Sequence, residues 1–137
     1  MQTATDPDIR TSPDSITSAA ASFAPEPPSA TSARRFVVGV LRPLVRNELV
    51  DVAALLTTEL ATNSVLHARS DLDVEVVVSP REVRVEVSDA HPSVPTARPS
   101  DPRSTYGRGL MLVDSLSDRW GVAPHPAGKG VWFSLER

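Results

Sequence analysis

The spacing of hydrophobic positions changes along the chain, and the predicted elements follow those changes. Residues 1–17 are rich in Thr, Ser, Asp and Pro and almost lack large apolar side chains. They read as a disordered tail ahead of one domain over residues 18–137. Residues 18–24 are expected to form a short edge strand, stopped by Pro25. Phe36, Val37, Val40, Leu41 and Leu44 then recur at three and four residues. That spacing predicts a helix over residues 29–45, with Pro28 at its start and Pro43 ending or kinking it.

A second helical pattern runs to His67, with Val52, Leu55, Leu56 and Leu60 as its apolar stripe. Asn47 is the expected N-cap, and Glu48 and Asp51 suit the positive end of the helix dipole. The period then drops to two. Leu72, Val74, Val76 and Val78 alternate with Asp73, Glu75 and Val77, and Val83, Val85 and Val87 alternate with Arg84, Glu86 and Ser88. Residues 79–82 make the turn of an antiparallel hairpin with one face on a core. Residues 90–106 hold Pro92, Pro95, Pro99 and Pro102 and few apolar side chains, and they read as a functional or disordered loop. Gly107-Arg108-Gly109 leads into a short amphipathic helix bearing Leu110, Met111, Val113 and Leu116. Two more strands follow, over residues 119–122 and 130–135. Strands and helices in this order predict an α/β two-layer sandwich, an α+β fold with a mixed, mainly antiparallel sheet and helices on one face.

Composition adds exclusions. The 137 residues suffice for one domain with a core, and the net charge is −3. The longest basic cluster is Arg34-Arg35, which argues against direct nucleic-acid binding. No run reaches the roughly 18 apolar residues of a membrane span. The N-terminus lacks the basic start and apolar stretch of a secretory signal. The absence of cysteine excludes disulfides and thiolate metal sites and is compatible with a cytoplasmic location. Lys129 is the single lysine among fourteen basic residues.

Candidate chemistry centres on the second helix. Glu59, Asn63 and His67 lie at i, i+4 and i+8, so a regular helix aligns them on one face. An Asn oxygen is a hard ligand for Mg²⁺, and a Glu one turn earlier can accept a proton. Asp89 ends a strand, where a carboxylate can accept a hydrogen bond from an exocyclic amine. A Gly-x-Gly pair before a helix lets backbone approach phosphate, and the helix N-terminus offers free N–H groups. Taken singly, each of these features has an ordinary structural explanation: a solvated helix edge, a strand-end cap, a turn, or a hairpin tip at Lys129. His67 reads as a helix-end residue near the negative end of the dipole. No second His lies nearby, so no zinc site is expected.

Order and spacing together carry more weight. The segment Thr58-Glu59-Leu60-Ala61-Thr62-Asn63-Ser64-Val65-Leu66-His67-Ala68 is followed by a strand pair ending in Asp89. Then come Tyr106-Gly107-Arg108-Gly109-Leu110-Met111-Leu112-Val113-Asp114, Asp118-Arg119-Trp120-Gly121-Val122 and Gly128-Lys129-Gly130. Over about residues 20–136 this series resembles the GHKL (Bergerat-fold) ATPase family. Within it, the likeness is to the short bacterial anti-sigma-factor serine/threonine kinases. The resemblance implies a histidine-kinase-like ATP-binding domain with ATP and Mg²⁺ as cofactors. Asn63 would hold the Mg²⁺, and Glu59 would be the catalytic base for a partner's serine or threonine. Asp89 would read the adenine amino group. Gly107, Arg108, Gly109 and Leu110 would form the phosphate-binding segment, residues 90–106 the ATP lid, and Gly128, Lys129 and Gly130 the border of the adenine pocket. The implied partners are a STAS-domain anti-anti-sigma protein and a sigma factor, and the branch often forms homodimers. The chain departs from the wider family at Asp89-Ala90-His91-Pro92-Ser93, where an Asp-x-Gly-x-Gly segment is usual. A second expectation is therefore a partner-switching module without significant kinase activity. A detached catalytic domain of a histidine sensor kinase fits less well, because no dimerising helix with a phospho-acceptor histidine precedes the domain.

Overall fold

A computed structural model describes residues 8–11, 16–68, 70–90 and 105–137. Among the described residues, six strands form one sheet in the order β1-β2-β3-β4-β6-β5: β1 (Asp8–Thr11), β2 (Thr17–Phe23), β3 (Leu72–Val78), β4 (Glu82–Asp89), β5 (Arg119–His125) and β6 (Gly128–Glu136). Every neighbouring pair is antiparallel, so the sheet is not mixed. Three helices, α1 (Pro28–Leu41), α2 (Asn47–Asn63) and α3 (Thr105–Leu116), complete the α+β architecture.

Alternation along the strands decides which sheet face meets the helices. Leu72, Val74, Val76 and Val78 of β3 are buried, as are Val83, Val85 and Val87 of β4. Register places Val74 opposite Val87 and Val76 opposite Val85, and carries Val85 to Phe133 and Val87 to Val131 on β6. Ala33, Val37 and Leu41 of α1 and Ala53, Leu56 and Leu60 of α2 close the core from the other side. Non-directional burial of these side chains stabilises the two layers against each other. Asn47–Ala68 is long and apolar enough to cross a membrane by composition, but half of that window is buried within the domain. Its apolarity is that of a core helix.

Several expectations are corrected here. Residues 8–11, placed in a disordered tail, form β1 and pair with β2. As a result β2 is interior to the sheet and not an edge. Helix α1 stops at Leu41, and residues 42–45 continue as turns, with the Leu44 and Val45 N–H groups donating to the Leu41 carbonyl. Pro43 has no N–H to extend the helix, although Arg42 before it keeps helical backbone and donates to the Val38 carbonyl. Arg46, with extended backbone, is the residue flanking α2, so Asn47 is inside the helix and is not its cap. Thr105 begins α3, so Gly107 and Gly109 lie within the helix instead of preceding it. The four prolines of the expected loop lie outside the described residues.

The end of α2 also differs. Residues Ser64–Ala68 are π-helical. A π turn takes up more residues than an α turn and shifts the phase of everything after it. Asn63 is buried while His67 is exposed, so the three-residue alignment holds only for Glu59 and Asn63.

Candidate functional site

Two elements build one corner of the site. Glu59 and Asn63 sit one turn apart on α2, and α3 crosses them at Gly109. A Cβ at Gly109 would lie 2.9 Å from Asn63 Nδ2 and 3.4 Å from Glu59 Cβ. Glycine inside a helix costs about 1 kcal/mol relative to alanine, so close helix approach is the physical use of this one. Asn63 is buried, and its carboxamide oxygen has no hydrogen-bond partner among the described residues. Buried acceptors are nearly always satisfied, and an orphan of this kind calls for an explanation.

A hard cation supplies one. Mg²⁺ takes oxygen ligands and is typically held by one or two protein groups plus substrate phosphates. Asn63 Oδ1 beside the half-buried Glu59 fits that donor set. Among the described residues no cluster of three or more His, Asp or Glu could hold a metal by itself. Helix α3 adds backbone donors. Its first four N–H groups have no partner within the helix, and Gly107 and Arg108 lie in this first turn, where backbone donors are free to meet an anion. Gly109 is one residue beyond that turn, and its place is against α2. Leu110 follows it into the core.

The second corner is built by β4, β6 and the end of α2. Asp89 continues the inward-facing series Val83, Val85, Val87, and Lys129 continues the series Val131, Phe133, Leu135. Register places Asp89 and Lys129 opposite each other. Lys129 Nζ donates to both Asp89 carboxylate oxygens, at 2.9 and 3.0 Å. Only 7% of the Lys129 side chain and 3% of the Asp89 side chain are exposed. Ser64, the first residue of the π-helical turn, donates to Asp89 Oδ2 at 2.7 Å. A side chain on Gly128 would collide with the Asp89 carbonyl and the Ala90 backbone, so glycine permits the close approach of the two strands. Gly130 belongs to the other sheet face. Its neighbour is Glu86, whose carboxylate meets His125 Nε2 at 3.0 Å and Ser88 Oγ at 3.2 Å.

Between the corners lies a small cavity lined by Leu60, Asn63, Ser64, Val87, Asp89, Leu110, Lys129 and Val131. Apolar walls with one carboxylate are suited to a flat base bearing an amino group. The free space is only ≈ 10 Å³, room for about one water. Pockets that hold small molecules run to about 300–1,000 Å³. The lining has the chemistry of a base pocket, but the space beside Asp89 is filled by Lys129.

The structure therefore brings Glu59, Asn63 and Gly109 together, and separately Asp89 and Lys129, with Leu110 at the cavity between them. Ser64 was not anticipated. Its sequence signal is a small polar residue directly after Asn63 in an apolar run. Trp120 of the segment 118–122 is a structural tie. Its Nε1 donates to Asp114 at 2.8 Å and ties the far end of α3 to β5. The model of the family described as histidine kinase-like ATPase domain matches residues 23–135. No curated protein matches the chain.

Proposed function

The chain belongs to the histidine kinase-like ATPase family, and from that premise we propose that it is an ATP- and Mg²⁺-dependent serine/threonine protein kinase acting as an anti-sigma regulatory factor. The observation that carries the catalytic half is the buried, unpartnered oxygen of Asn63, one turn from Glu59 and pressed against Gly109. ATP with Mg²⁺ supplies the transferable phosphoryl group when bound. Asn63 Oδ1 would hold the cation. Glu59, half-buried and without a hydrogen-bonding or ion-pair partner among the described residues, accepts the proton of an incoming serine or threonine hydroxyl. The first turn of α3 offers N–H groups to the phosphates, and Asp89 reads the amino group of adenine.

The partner half is supported by the motifs of residues 58–68, 106–114 and 118–122, which resemble the anti-sigma branch. In this reading the substrate is a STAS-type anti-anti-sigma protein and the regulated partner a sigma factor. In this reading the protein works in the cytoplasm without contacting nucleic acid itself, and the resemblance to the branch suggests a homodimer. Titration of the purified protein with Mg-ATP, followed by radiolabel transfer to a STAS-domain protein, tests both halves. Binding and transfer are expected. Absence of binding at millimolar Mg-ATP would overturn the nucleotide half, and binding without transfer would overturn the kinase half.

A second reading has one observation in its favour. The buried Lys129–Asp89 pair fills the place where adenine would be read, as suits a partner-switching module that sequesters a sigma factor or STAS protein without significant kinase activity. Glu59→Ala separates the two. Partner regulation that survives this substitution unchanged favours the module.

A further inference from the structure

We propose that Lys129 is an internal surrogate for the nucleotide's amino group, an intramolecular plug that ATP must displace. The inference rests on ATP being the ligand of this cavity. An adenine amino group would be recognised by donating to the carboxylate of Asp89. In the structure that carboxylate accepts from Lys129 Nζ on both oxygens and from Ser64 on one. The lysine head is a stronger donor to a carboxylate than a neutral amine, because both partners are charged. It is also already tethered, whereas a nucleotide loses translational and rotational freedom on binding.

Lys129 can act as a plug and still be movable. Its four-carbon stem rotates freely, and its ammonium is readily hydrated once outside. It sits two residues beyond the turn at Pro126 and Ala127, on the last rung of the β4–β6 ladder. Two states follow: a closed one with Lys129 on Asp89, and an open one with Lys129 withdrawn from Asp89 and the base on Asp89. The nucleotide binds only the open state, so its apparent affinity is lowered by the fraction of molecules that are open. Anything that draws Lys129 outward, an acidic partner surface included, raises that affinity.

Lys129 is the only lysine in the chain, which makes its amine separable from all others but the N-terminus. Two measurements on the full chain test the plug. The first compares Mg-ATP and Mg-GTP affinity of the wild type, Lys129→Met and Lys129→Gln by calorimetry, with circular dichroism confirming the fold. Lys129→Gln retains a neutral donor for Asp89 and serves if the methionine variant fails to fold. At least tenfold tighter Mg-ATP binding is expected for Lys129→Met and a smaller gain for Lys129→Gln. Mg-GTP, which presents an acceptor at the six-position, should gain little, whereas general loosening of the pocket would help both nucleotides alike. The second follows acylation of Lys129 by an N-hydroxysuccinimide ester, read by mass spectrometry. Mg-ATP should accelerate labelling of Lys129 severalfold and leave the N-terminal amine unaffected.

A wild type that binds Mg-ATP, with substitutions that leave the affinity unchanged or weaken it, would overturn the plug and leave ATP as the ligand. Slower labelling in Mg-ATP would do the same and make Lys129 a direct nucleotide contact. If no form of the protein binds Mg-ATP, the plug and the nucleotide reading fall together. A wild type that does not bind, beside a Lys129→Met variant that does, supports the plug in its strongest form.

Discussion

At one end of the cavity Asn63 presents a buried oxygen that no described group satisfies. At the other, Asp89 has both carboxylate oxygens engaged by Lys129 and one of them by Ser64. Both corners include residues from the same stretch of α2 and the turn that follows it. The difference lies in what faces them. Opposite Asn63 stands Gly109, which has no side chain to offer. Opposite Asp89 stands the single lysine. The Asn63 end thus keeps an unsatisfied acceptor, while the Asp89 end is completed from within. Stability and ligand readiness are distributed unevenly across one site, and removal of a group should have opposite consequences at the two ends.

The largest effect is expected at the Asn63 end. Glu59→Ala should lower phosphoryl transfer about 10²–10⁴-fold, the usual contribution of a positioned general base. Single-turnover assays with saturating nucleotide would show it. An unaltered rate would remove the catalytic meaning of this corner and of the contrast.

Next comes the Asp89 end. Lys129→Met removes the ammonium that engages both oxygens of a buried carboxylate. Denaturant unfolding without nucleotide should show a loss of about 3–5 kcal/mol. A neutral result would mean that Asp89 is not held as a buried ion and that the two ends are alike. Ser64→Ala should cost less, about 1.5–3 kcal/mol, since it removes one hydrogen bond to a charged group while the lysine stays. The same unfolding experiment measures it. If Ser64→Ala proves as damaging as Lys129→Met, the π-helical turn and not the ion pair holds the base end closed.

The smallest effect sharpens the comparison at the Asn63 end. Gly109→Ala gains helix propensity but places a methyl group 2.9 Å from Asn63 Nδ2, the far end of a side chain that can shift. Unfolding stability should change by no more than about 1 kcal/mol. The displaced carboxamide should lower Mg²⁺-dependent nucleotide affinity about tenfold, as when the support of a metal ligand is disturbed. Calorimetry with and without Mg²⁺ distinguishes this from general damage.

Much of the fold was legible because burial leaves a periodic trace. The alternating valines of β3 and β4 require one inward face, and their register follows. Strand β1 leaves no such trace. Ile9 is its sole large apolar residue and is 59% exposed, so backbone pairing with β2 makes the strand and no buried pattern announces it. The phase shift at Ser64–Ala68 is equally silent, because the apolar spacing of residues 60–66 suits an α-helix as well. Glu59 and Asn63 were visible as a pair, since four-residue spacing survives up to the π turn. The Asp89–Lys129 pair was readable in part. Counting by twos from Val87 and back from Val131 puts both on the inward face, yet a lysine between glycines invites the simpler interpretation of a hairpin tip. Only the partner strand shows that two inward charges meet.

The position of that pair in its ladder has a further consequence. Asp89↔Lys129 is the last of eight rungs joining β4 to β6, after Glu82↔Glu136 at the other end. On the opposite side Lys129 faces Pro124 of β5, which brings no N–H to that position. The rung is thus terminal on one strand and weakly braced by the other, while Val85↔Phe133 lies deep in the sheet. Fraying at a ladder's end takes far less free energy than disrupting its middle. Admission to the base end is therefore a local excursion of a few residues, separable in rate and in free energy from unfolding of the domain. The sheet can stay intact while its final rung opens and closes.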